Sequence, residues 1–308
     1  MARGGLVVCV PARNEADRLP RLLQALAGQT LRDVAVLVAL NNTTDQSLAA
    51  IEAARLRHPG LEIIVDEAIF AGSDAHAGSA RRRAMDGAAD IAGPDGFILT
   101  TDADTRPPPE WLAENAAAMA NGLDIVGGRI VIDEDEPMDP AVAAARALAD
   151  RYWARVRELE DGIDPVPWDP PPRHGDHTGA SLCVSVSAYQ RCGGVPAIRT
   201  GEDRALVQAV IRHGGKLAHP AGIWTRVSPR AEGRADGGMA DYMKHMQERC
   251  RANAAVMLPS FAQFRARAAW RRDTRARGGA ALVAELEDKL PPLVDDMALT
   301  QAALETAE

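Results

Sequence analysis

Cysteines and long apolar runs are scarce in this sequence of 308 residues. The four cysteines form no C-x-x-C pair; they are Cys9, Cys183, Cys192 and Cys250. This spacing excludes a zinc ribbon and a dense disulfide framework, and it favours a reducing cytoplasmic compartment. No apolar run approaches the roughly 18 to 20 residues of a membrane span. The first run, residues 6–10, is too short for a signal peptide, so we expect neither a membrane span nor an export signal.

Basic residues are outnumbered by acidic ones, 35 against 43, which gives a net charge of −8. An acidic chain repels the nucleic-acid backbone, so we expect no nucleic-acid partner. Two nucleotide-binding signatures are also missing. No G-x-G-x-x-G follows the first apolar run, and Gly214-Gly215-Lys216-Leu217 lacks the upstream Gly and the Ser or Thr of a P-loop. These absences argue against dehydrogenases and P-loop ATPases.

Short apolar runs alternate with helical patterns through the first 105 residues. The runs 6–10, 34–40, 61–65 and 97–101 predict buried strands, and helices are predicted over 47–57 and 78–91. A further helix, capped by Asn14 and ended by Gly28, follows from leucines at helical spacing: Leu19, Leu22, Leu23 and Leu26. The pattern predicts an α/β fold with a doubly wound, mainly parallel sheet. Ligands of such sheets lie at the carboxyl ends of the strands.

Two carboxylates stand one residue apart at the end of the fourth apolar run, in Thr101-Asp102-Ala103-Asp104. Divalent cations that accompany nucleotide diphosphates take oxygen ligands, and one or two carboxylates plus phosphate oxygens suffice. The triplet therefore predicts a cation site. Acidic residues also end many strands without a ligand, and that alternative stays open for the triplet taken alone.

A second acidic pair, Gly201-Glu202-Asp203, begins a predicted helix. Acids in a first helical turn complement the helix dipole, so a capping role stays open. The catalytic alternative is a carboxylate that stays ionised and accepts a proton from an attacking hydroxyl. Position alone does not decide between the two.

Four motifs occur in a fixed order along residues 6–227: Val10-Pro11-Ala12-Arg13-Asn14-Glu15, Gly78-Ser79-Ala80-Arg81, Asp102-Ala103-Asp104, and Gly193-Gly194 with Gly201-Glu202-Asp203. In this order and spacing the chain resembles the family 2 glycosyltransferases, which have the GT-A fold. The resemblance implies transfer of a hexose from a nucleotide diphosphate sugar to a hydroxyl acceptor, with inversion and a requirement for Mn²⁺ or Mg²⁺.

The resemblance also implies a role for each matching residue. Nucleotide base and ribose contacts fall to Pro11, Ala12, Arg13 and Glu15. Arg81 lies near the diphosphate, Asp102 lies near ribose and metal, and Asp104 ligates the metal. Asp203 is the general base, with Glu202 beside it in the catalytic pair. A cation and arginines would stabilise the leaving diphosphate, while the base activates the acceptor.

Two positions depart from the family pattern. Where many members carry two Asp after the second strand, this chain has Leu40 and Asn41, and an amide leaves the base preference open. Arg226 stands where members often have a metal-binding His, with His219 the nearest imidazole. We expect three arginines to grip the diphosphate, with a solvated loop as the alternative: Arg226, Arg230 and Arg234.

The chain divides into three parts on this reading. Residues 1–132 form the nucleotide-sugar-binding α/β half, residues 133–235 the acceptor-binding and catalytic half of the same GT-A domain, and residues 236–308 a C-terminal helical extension. A proline-rich stretch, 164–177, is a linker or an active-site loop. Within it, Trp168 and His177 are the acceptor-binding candidates, the tryptophan because an aromatic ring stacks on a sugar.

The acceptor class, whether saccharide, lipid or small metabolite, stays open, and so does a homodimer formed through the helical tail. Residues 261–277 carry six Arg and one Asp, whereas 278–308 carry seven acids and one Lys. Mutual pairing is expected, and contact of a basic helix with an anionic membrane surface is the alternative. Two other functions stay open: a sugar-phosphate nucleotidyltransferase, and a non-catalytic nucleotide-sugar-binding scaffold.

Overall fold

The computed structural model describes residues 5–230, 233 and 238–305. These residues form two compact units. Unit 1 contains residues 5–133 and 176–228, and unit 2 contains residues 134–175, 229, 230, 233 and 238–305. Residues 134–175, which the sequence analysis grouped with the catalytic half, therefore pack within unit 2.

Strands and helices alternate through the first part of unit 1. In chain order the elements are β1 (Leu6–Ala12), α1 (Leu19–Ala27), β2 (Ala35–Asn41), α2 (Ser47–Arg57), β3 (Ile63–Ala68), α3 (Ala77–Ala92), β4 (Phe97–Thr100), β5 (Thr105–Arg106), α4 (Trp111–Ala120), β6 (Ile125–Gly127) and β7 (Arg129–Ile132). A 3₁₀ turn, Gly72–Asp74, precedes α3.

The second half of the chain begins with the long helix of unit 2 and returns to unit 1. Its elements are α5 (Pro140–Ile163), β8 (Leu182–Ser185), α6 (Val186–Arg191), α7 (Glu202–Arg212), β9 (Leu217–Ala218), β10 (Trp224–Val227), α8 (Met239–Arg251), β11 (Met257–Leu258), α9 (Phe261–Glu287), β12 (Met297–Ala298) and α10 (Gln301–Glu305). The β11–β12 pair corrects the expectation that only helices follow Met239.

A seven-stranded sheet with the order β3-β2-β1-β4-β8-β6-β9 forms the centre of unit 1. Strands β3, β2, β1 and β4 are parallel, and β8 is antiparallel to both β4 and β6. A smaller sheet has the order β5-β10-β7. The predicted α/β class with a mainly parallel sheet is confirmed.

Apolar side chains on both faces of the large sheet explain why the strand runs are continuous rather than alternating. Every residue of β2 is buried, as expected when helices cover both faces of a parallel sheet. On one face pack the leucines of α1, all at most 2% exposed: Leu19, Leu22, Leu23 and Leu26. On the other face pack α3, α6 and α7.

Asn14 does not cap α1, because the helix begins five residues later, at Leu19, with Arg18 in the capping position. Asn14 instead adopts a left-handed conformation with φ of 54°. An asparagine tolerates this conformation better than most residues, and it leaves the side chain free to bind backbone groups of another loop. Gly28 does end α1, as predicted.

The basic stretch 261–277 lies in α9, and two of its arginines pair within unit 2. Arg271 donates to the buried carboxylate of Glu160 over 2.7 Å. Arg275 donates two hydrogen bonds, of 3.1 and 2.8 Å, to Asp164 of the segment after α5. Both of these partners lie outside the acidic stretch 278–308. The pairing expected between the two stretches is made by Arg271, whose Nε also donates to Glu287 over 2.8 Å. Among the described residues, no helix is long and apolar enough to cross a membrane.

The thiols of the central strands should resist alkylation. Burial raises the pKa of Cys9 to about 12 against weaker lowering by Thr100 and Arg81, and burial also raises the pKa of Cys183. At pH 8 a thiol with that pKa is thiolate in roughly one molecule in ten thousand. We expect iodoacetamide at pH 8 to label half-buried Cys250 in the native protein and to leave Cys9 and Cys183 unmodified, as read by peptide mass spectrometry.

Labelling in urea provides the control, because all four cysteines are then accessible. Rapid labelling of Cys9 in the native protein would contradict its burial in β1.

Candidate active site

The carboxyl ends of β2, β1 and β4 lie side by side at one edge of the large sheet, because these neighbouring strands are parallel. Pro11 and Ala12 end β1, Asn41 ends β2, and the D-x-D triplet follows β4. Asn41 is buried, with 6% of its surface exposed. The edge thus brings together residues that are up to about 90 positions apart in the chain.

Loop-to-loop hydrogen bonds join the segments after these strands. The Asn14 side-chain oxygen accepts from the backbone N–H of Thr44 over 2.8 Å, and the Glu15 N–H donates to the hydroxyl of Ser47 over 2.9 Å. These bonds fix the turn after β1 against the turn after β2. The two turns are the segments in which the nucleotide contacts are predicted.

A single buried guanidinium, that of Arg81 on α3, joins three other segments of the site. Its Nε donates to Glu202 over 2.9 Å and its Nη2 to Asp102 over 2.7 Å. Its Nη1 donates to the hydroxyl of Thr100 over 2.9 Å and to the carbonyl of Gly179 over 3.1 Å. Four N–H groups of one side chain therefore hold the end of β4, the start of α7 and the segment before β8.

Electrostatics keep this buried arginine charged. Burial by itself would lower the pKa of Arg81, but the carboxylates of Asp102, Glu202 and Asp203 outweigh it and raise the pKa. The side chains of Arg81 and Glu202 are each only 8% exposed. A buried ion pair of this kind is costly to break, because each charge loses its compensation.

Gly179 is required by the close approach of its backbone to Arg81. A Cβ built on Gly179 would overlap the Arg81 guanidinium. The N–H of Gly179 donates to Oδ2 of Asp203 over 2.8 Å. The same peptide segment therefore touches the buried arginine through its carbonyl and the predicted general base through its N–H.

The two acids at the start of α7 have different surroundings. Glu202 is buried and paired with Arg81, whereas Asp203 is half-buried. Oδ1 of Asp203 accepts from the N–H of Arg204 over 2.7 Å. Glu202 is thus held in a buried ion pair, whereas the Asp203 carboxylate is partly accessible. The catalytic roles of both acids stay predictions.

Burial alternates along the D-x-D segment. Thr101, Ala103 and Thr105 are at most 4% exposed, whereas Asp102 and Asp104 are half-buried. Both carboxylates thus lie on the accessible side, and one oxygen of Asp102 is already bound to Arg81.

The carboxylate oxygens of Asp102 and Asp104 fit a cation that binds together with a diphosphate. Among the described residues, no group of three or more His, Cys, Asp or Glu side chains is arranged to hold a metal. Mg²⁺ usually binds through one or two carboxylates plus substrate phosphates. Asp104 and the second oxygen of Asp102 can supply those carboxylate ligands without a protein cage.

The predicted arginines are spread over different parts of the chain. Arg226 lies in β10 of unit 1, opposite Arg106 of β5, and its guanidinium stacks 4.7 Å from the ring centre of Trp224. Arg230 belongs to unit 2, and Arg234 lies outside the described residues. Arg13 is exposed in the turn after β1.

The two acceptor candidates also fall in different units. His177 lies in unit 1, where its Nδ1 is 3.2 Å from Nε2 of buried His219. Trp168 lies in unit 2. Their acceptor roles stay predictions.

Sequence reasoning missed the residues that organise the acidic groups. Thr100 and Gly179 hold Arg81, and Asn42 fixes the end of β3 by donating to the carbonyl of Phe70 over 2.8 Å. Thr100 stands beside the D-x-D motif, which was a usable signal. Gly179 is 98 residues from Arg81, and no local pattern reports such a contact.

One cavity of unit 1, of about 640 Å³, opens beside α3 and has none of the predicted site residues in its lining: Leu37, Asp66, Phe70, Asp74, Ser79, Arg82, Arg83, Asp86, Gly87, Ile91 and Ala197. Ligand pockets commonly have this size. Because the acidic groups of the candidate site, Asp102, Asp104, Glu202 and Asp203, do not line it, the cavity is separate from that site.

The mainly parallel sheet, with a D-x-D segment and an acidic helix start at its edge, defines the class of GT-A glycosyltransferases. The model of the family described as Glycosyl transferase family 2 matches residues 7–160, half of the chain. The chain belongs to this family. No curated protein sequence matches the chain significantly.

Solved structures share the fold at low sequence identity. TarS 1–349 of S. aureus in complex with UDP-GlcNAc is similar with a TM-score of 0.54 and 14% identity, covering 89% of this chain and 73% of that one. The mannosyltransferase PcManGT of Pyrobaculum calidifontis, in complex with GDP-Man and Mn²⁺, has a TM-score of 0.52 and 18% identity, covering 92% and 78%. A longer TarS chain is covered over 42% of its length.

Removing the buried guanidinium should destabilise unit 1. We expect Arg81→Met to lower the free energy of unfolding by about 3–5 kcal/mol, because Glu202 and Asp102 then lose their counter-charge. Urea unfolding followed by circular dichroism measures this change. Arg83→Met is the matched control: Arg83 lies on the same helix and pairs with Asp66 at the surface, so its loss should cost no more than about 1 kcal/mol.

The double variant Arg81→Met with Glu202→Leu tests the cause. It should regain part of the lost stability, since it removes the uncompensated carboxylate. Equal losses for Arg81→Met and Arg83→Met would rule out the central role of Arg81.

Proposed function

We propose that the protein transfers a hexose from a nucleotide diphosphate sugar to a hydroxyl group of an acceptor, with inversion at the anomeric carbon. The observation that carries the proposal is the arrangement around Arg81. One guanidinium binds the first carboxylate of the D-x-D segment and the first carboxylate of the acidic pair on α7. A donor site and a base are thereby held within the span of one side chain.

Asp203 acts as the general base in this proposal. Its carboxylate takes the proton of the acceptor hydroxyl as the acceptor oxygen forms a bond to the anomeric carbon. The bond from that carbon to the diphosphate oxygen breaks, and the nucleoside diphosphate leaves with the electron pair. The hydrogen bond from Gly179 orients the Asp203 carboxylate. A single displacement of this kind inverts the configuration.

The leaving diphosphate carries the negative charge that has to be stabilised. Asp104 and Asp102 would hold a Mn²⁺ or Mg²⁺ ion, which supplies Lewis-acid stabilisation of the diphosphate. The complex of PcManGT with GDP-Man and Mn²⁺ supports a divalent ion in this fold. The diphosphate contact of Arg230, which lies in unit 2, stays a prediction from the sequence.

The turns after β1 and β2 form the proposed nucleotide site. Pro11, Ala12, Arg13 and Glu15 provide the predicted base and ribose contacts, and Asn41 replaces the acid that many members carry. An amide both donates and accepts hydrogen bonds, so it does not restrict the base to uracil. UDP-sugars and GDP-sugars are therefore both candidate donors, as bound in the TarS and PcManGT structures.

A nucleotide panel should identify the donor. We expect UDP, GDP or dTDP, each tested with Mn²⁺, Mg²⁺ or EDTA, to raise the melting temperature by several degrees when present at about one hundred times its dissociation constant. The stabilisation should require metal in the wild-type protein and be lost in Asp104→Ala. Differential scanning fluorimetry measures both. Equal stabilisation in EDTA would mean that the side chains, and no cation, bind the diphosphate.

The same panel separates the other functions. Pyrophosphate release from a nucleoside triphosphate and a sugar phosphate would establish a nucleotidyltransferase. Donor binding with neither transfer nor hydrolysis would establish a binding scaffold.

Asp203→Asn should lower kcat by about 10²–10⁴-fold with little change in donor affinity, because proton transfer matters in the transition state. The asparagine retains one of the two oxygens that accept from the N–H groups of Gly179 and Arg204, so the melting temperature of the variant is measured as the control. Turnover is measured as nucleoside diphosphate release, and donor affinity by calorimetry. An Asp203→Asn variant with wild-type kcat would exclude Asp203 as the base.

A further inference from the structure

We propose that one face of the small sheet β5-β10-β7 binds an anionic group, a phosphate or a carboxylate, of the acceptor. The proposal rests on the glycosyl transfer proposed above and names its acceptor class. The face, called the basic face below, carries residues of three strands: Arg106 of β5, Trp224 and Arg226 of β10, and Arg129 and Val131 of β7. Only Arg226 among them was expected from the sequence to bind a ligand, and that ligand was the donor.

Strand register places these side chains together. Arg226 of β10 is paired with Arg106 of β5, and Trp224 is paired with Arg129 of β7. Directly paired residues of neighbouring strands point to the same face, and residues two positions apart on one strand do so as well. The intervening residues face the interior, since Thr105, Thr225 and Ile130 are at most 5% exposed.

The charges on the basic face are unequally compensated. Buried Asp133 binds the guanidinium of Arg106 through both oxygens. Exposed Arg129 has no carboxylate within ion-pair distance in the part of the chain that the structure describes. The positive charge that Asp133 leaves uncompensated on this face is therefore that of Arg129, and an anion bound there would compensate it.

Trp224 adds a flat aromatic surface to the basic face. The Arg226 guanidinium lies 4.7 Å from the centre of its ring, an arrangement that fixes both side chains by cation–π attraction. Arg129 is the residue paired with Trp224 on the neighbouring strand. A guanidinium provides planar donors for a phosphate or carboxylate, and the indole provides a flat surface for the carbon skeleton attached to it.

The position favours the acceptor over the donor diphosphate. Arg226 is paired with Arg106, and Trp224 lies two residue steps, roughly 7 Å, further along β10 in the direction that leads away from Asp104. Arg226 stacks toward Trp224. The anion site is therefore displaced from the carboxylates that would accompany the diphosphate.

The proposed base is connected to the same end of the basic face. The side chain of Asp176 accepts from the N–H of Ile130, which follows Arg129, over 2.9 Å. Gly179, three residues later, donates to Asp203. The segment 176–179 thus joins the start of β7 to the start of α7. The proposal places the acceptor hydroxyl at Asp203 and its anionic group at Arg129.

Three acceptors with the same ring and different charge test the proposal: glucose, glucose 6-phosphate and glucuronate. Their binding is measured by calorimetry, and transfer by nucleoside diphosphate release. We expect at least one anionic sugar to bind more than about tenfold tighter than glucose, since a charge-assisted hydrogen bond is worth that factor or more. The phosphate and carboxylate arms distinguish the two anions. Inorganic phosphate serves as a probe that needs no sugar contact.

The key variant is Arg129→Gln, which removes an exposed charge and should not affect folding. It should weaken binding of the anionic sugar and of inorganic phosphate about 10- to 100-fold, leaving glucose and the nucleotide unaffected. Arg129→Lys should recover part of the loss, because it keeps the charge but not the planar fork. The matched control is Arg57→Gln, at an exposed position in the last turn of α2.

Equal binding of the three sugars, no binding of any anion, or an Arg129→Gln variant that behaves like Arg57→Gln would overturn the anion site. The outcomes also separate this proposal from the proposed function. Arg129-dependent anion binding without use of any nucleotide sugar would retain the anion site and refute glycosyl transfer. Transfer to sugars without preference for charge would do the opposite.

Discussion

One buried charge, the guanidinium of Arg81, determines how the acidic groups at the edge of the large sheet are arranged. A guanidinium taken out of water must have its N–H groups met by acceptors, and an unpaired one is strongly destabilising. Arg81 meets this requirement with acceptors from three separate segments: the end of β4, the start of α7 and the residue before the turn into β8. Folding unit 1 therefore brings the acidic groups together as a condition of burying that arginine.

Because of this constraint, two neighbouring acids have different surroundings. Glu202 is buried and neutralised by Arg81, while Asp203, one residue further along α7, stays half-buried and is oriented by Gly179. The side chains of consecutive helical residues point in directions about 100° apart, so one can be fixed in the interior while the next faces an acceptor. Position 179 requires glycine, because any Cβ there would displace the guanidinium of Arg81.

Local sequence patterns predicted the helices and strands. Contacts between residues far apart in the sequence determine how the candidate site is arranged. The leucine spacing predicted α1, and the apolar runs predicted the four parallel strands, because burial on two faces leaves a continuous signature. The order of the motifs predicted the family. By contrast, Arg81 reaches Glu202 across 121 positions, and Asn14 looked like a helix cap because its bond to Thr44 has no local sequence signature. The residues of the candidate site could be named from the sequence, but the contacts between them could not.

The spacing of the D-x-D motif has a structural cause that extends beyond the motif. Thr101, Ala103 and Thr105 face the interior, so the residues between them are directed to the accessible side. The segment is a turn, closed by the N–H of Thr105 on the carbonyl of Asp102 over 3.3 Å. The chain then enters β5, where Arg106 is paired with Arg226 on β10. Negative charge in the turn is therefore followed directly by positive charge on the adjoining strands. A cation-bound donor at the turn and an anionic acceptor at the strands are what the two proposals predict for this order of charges.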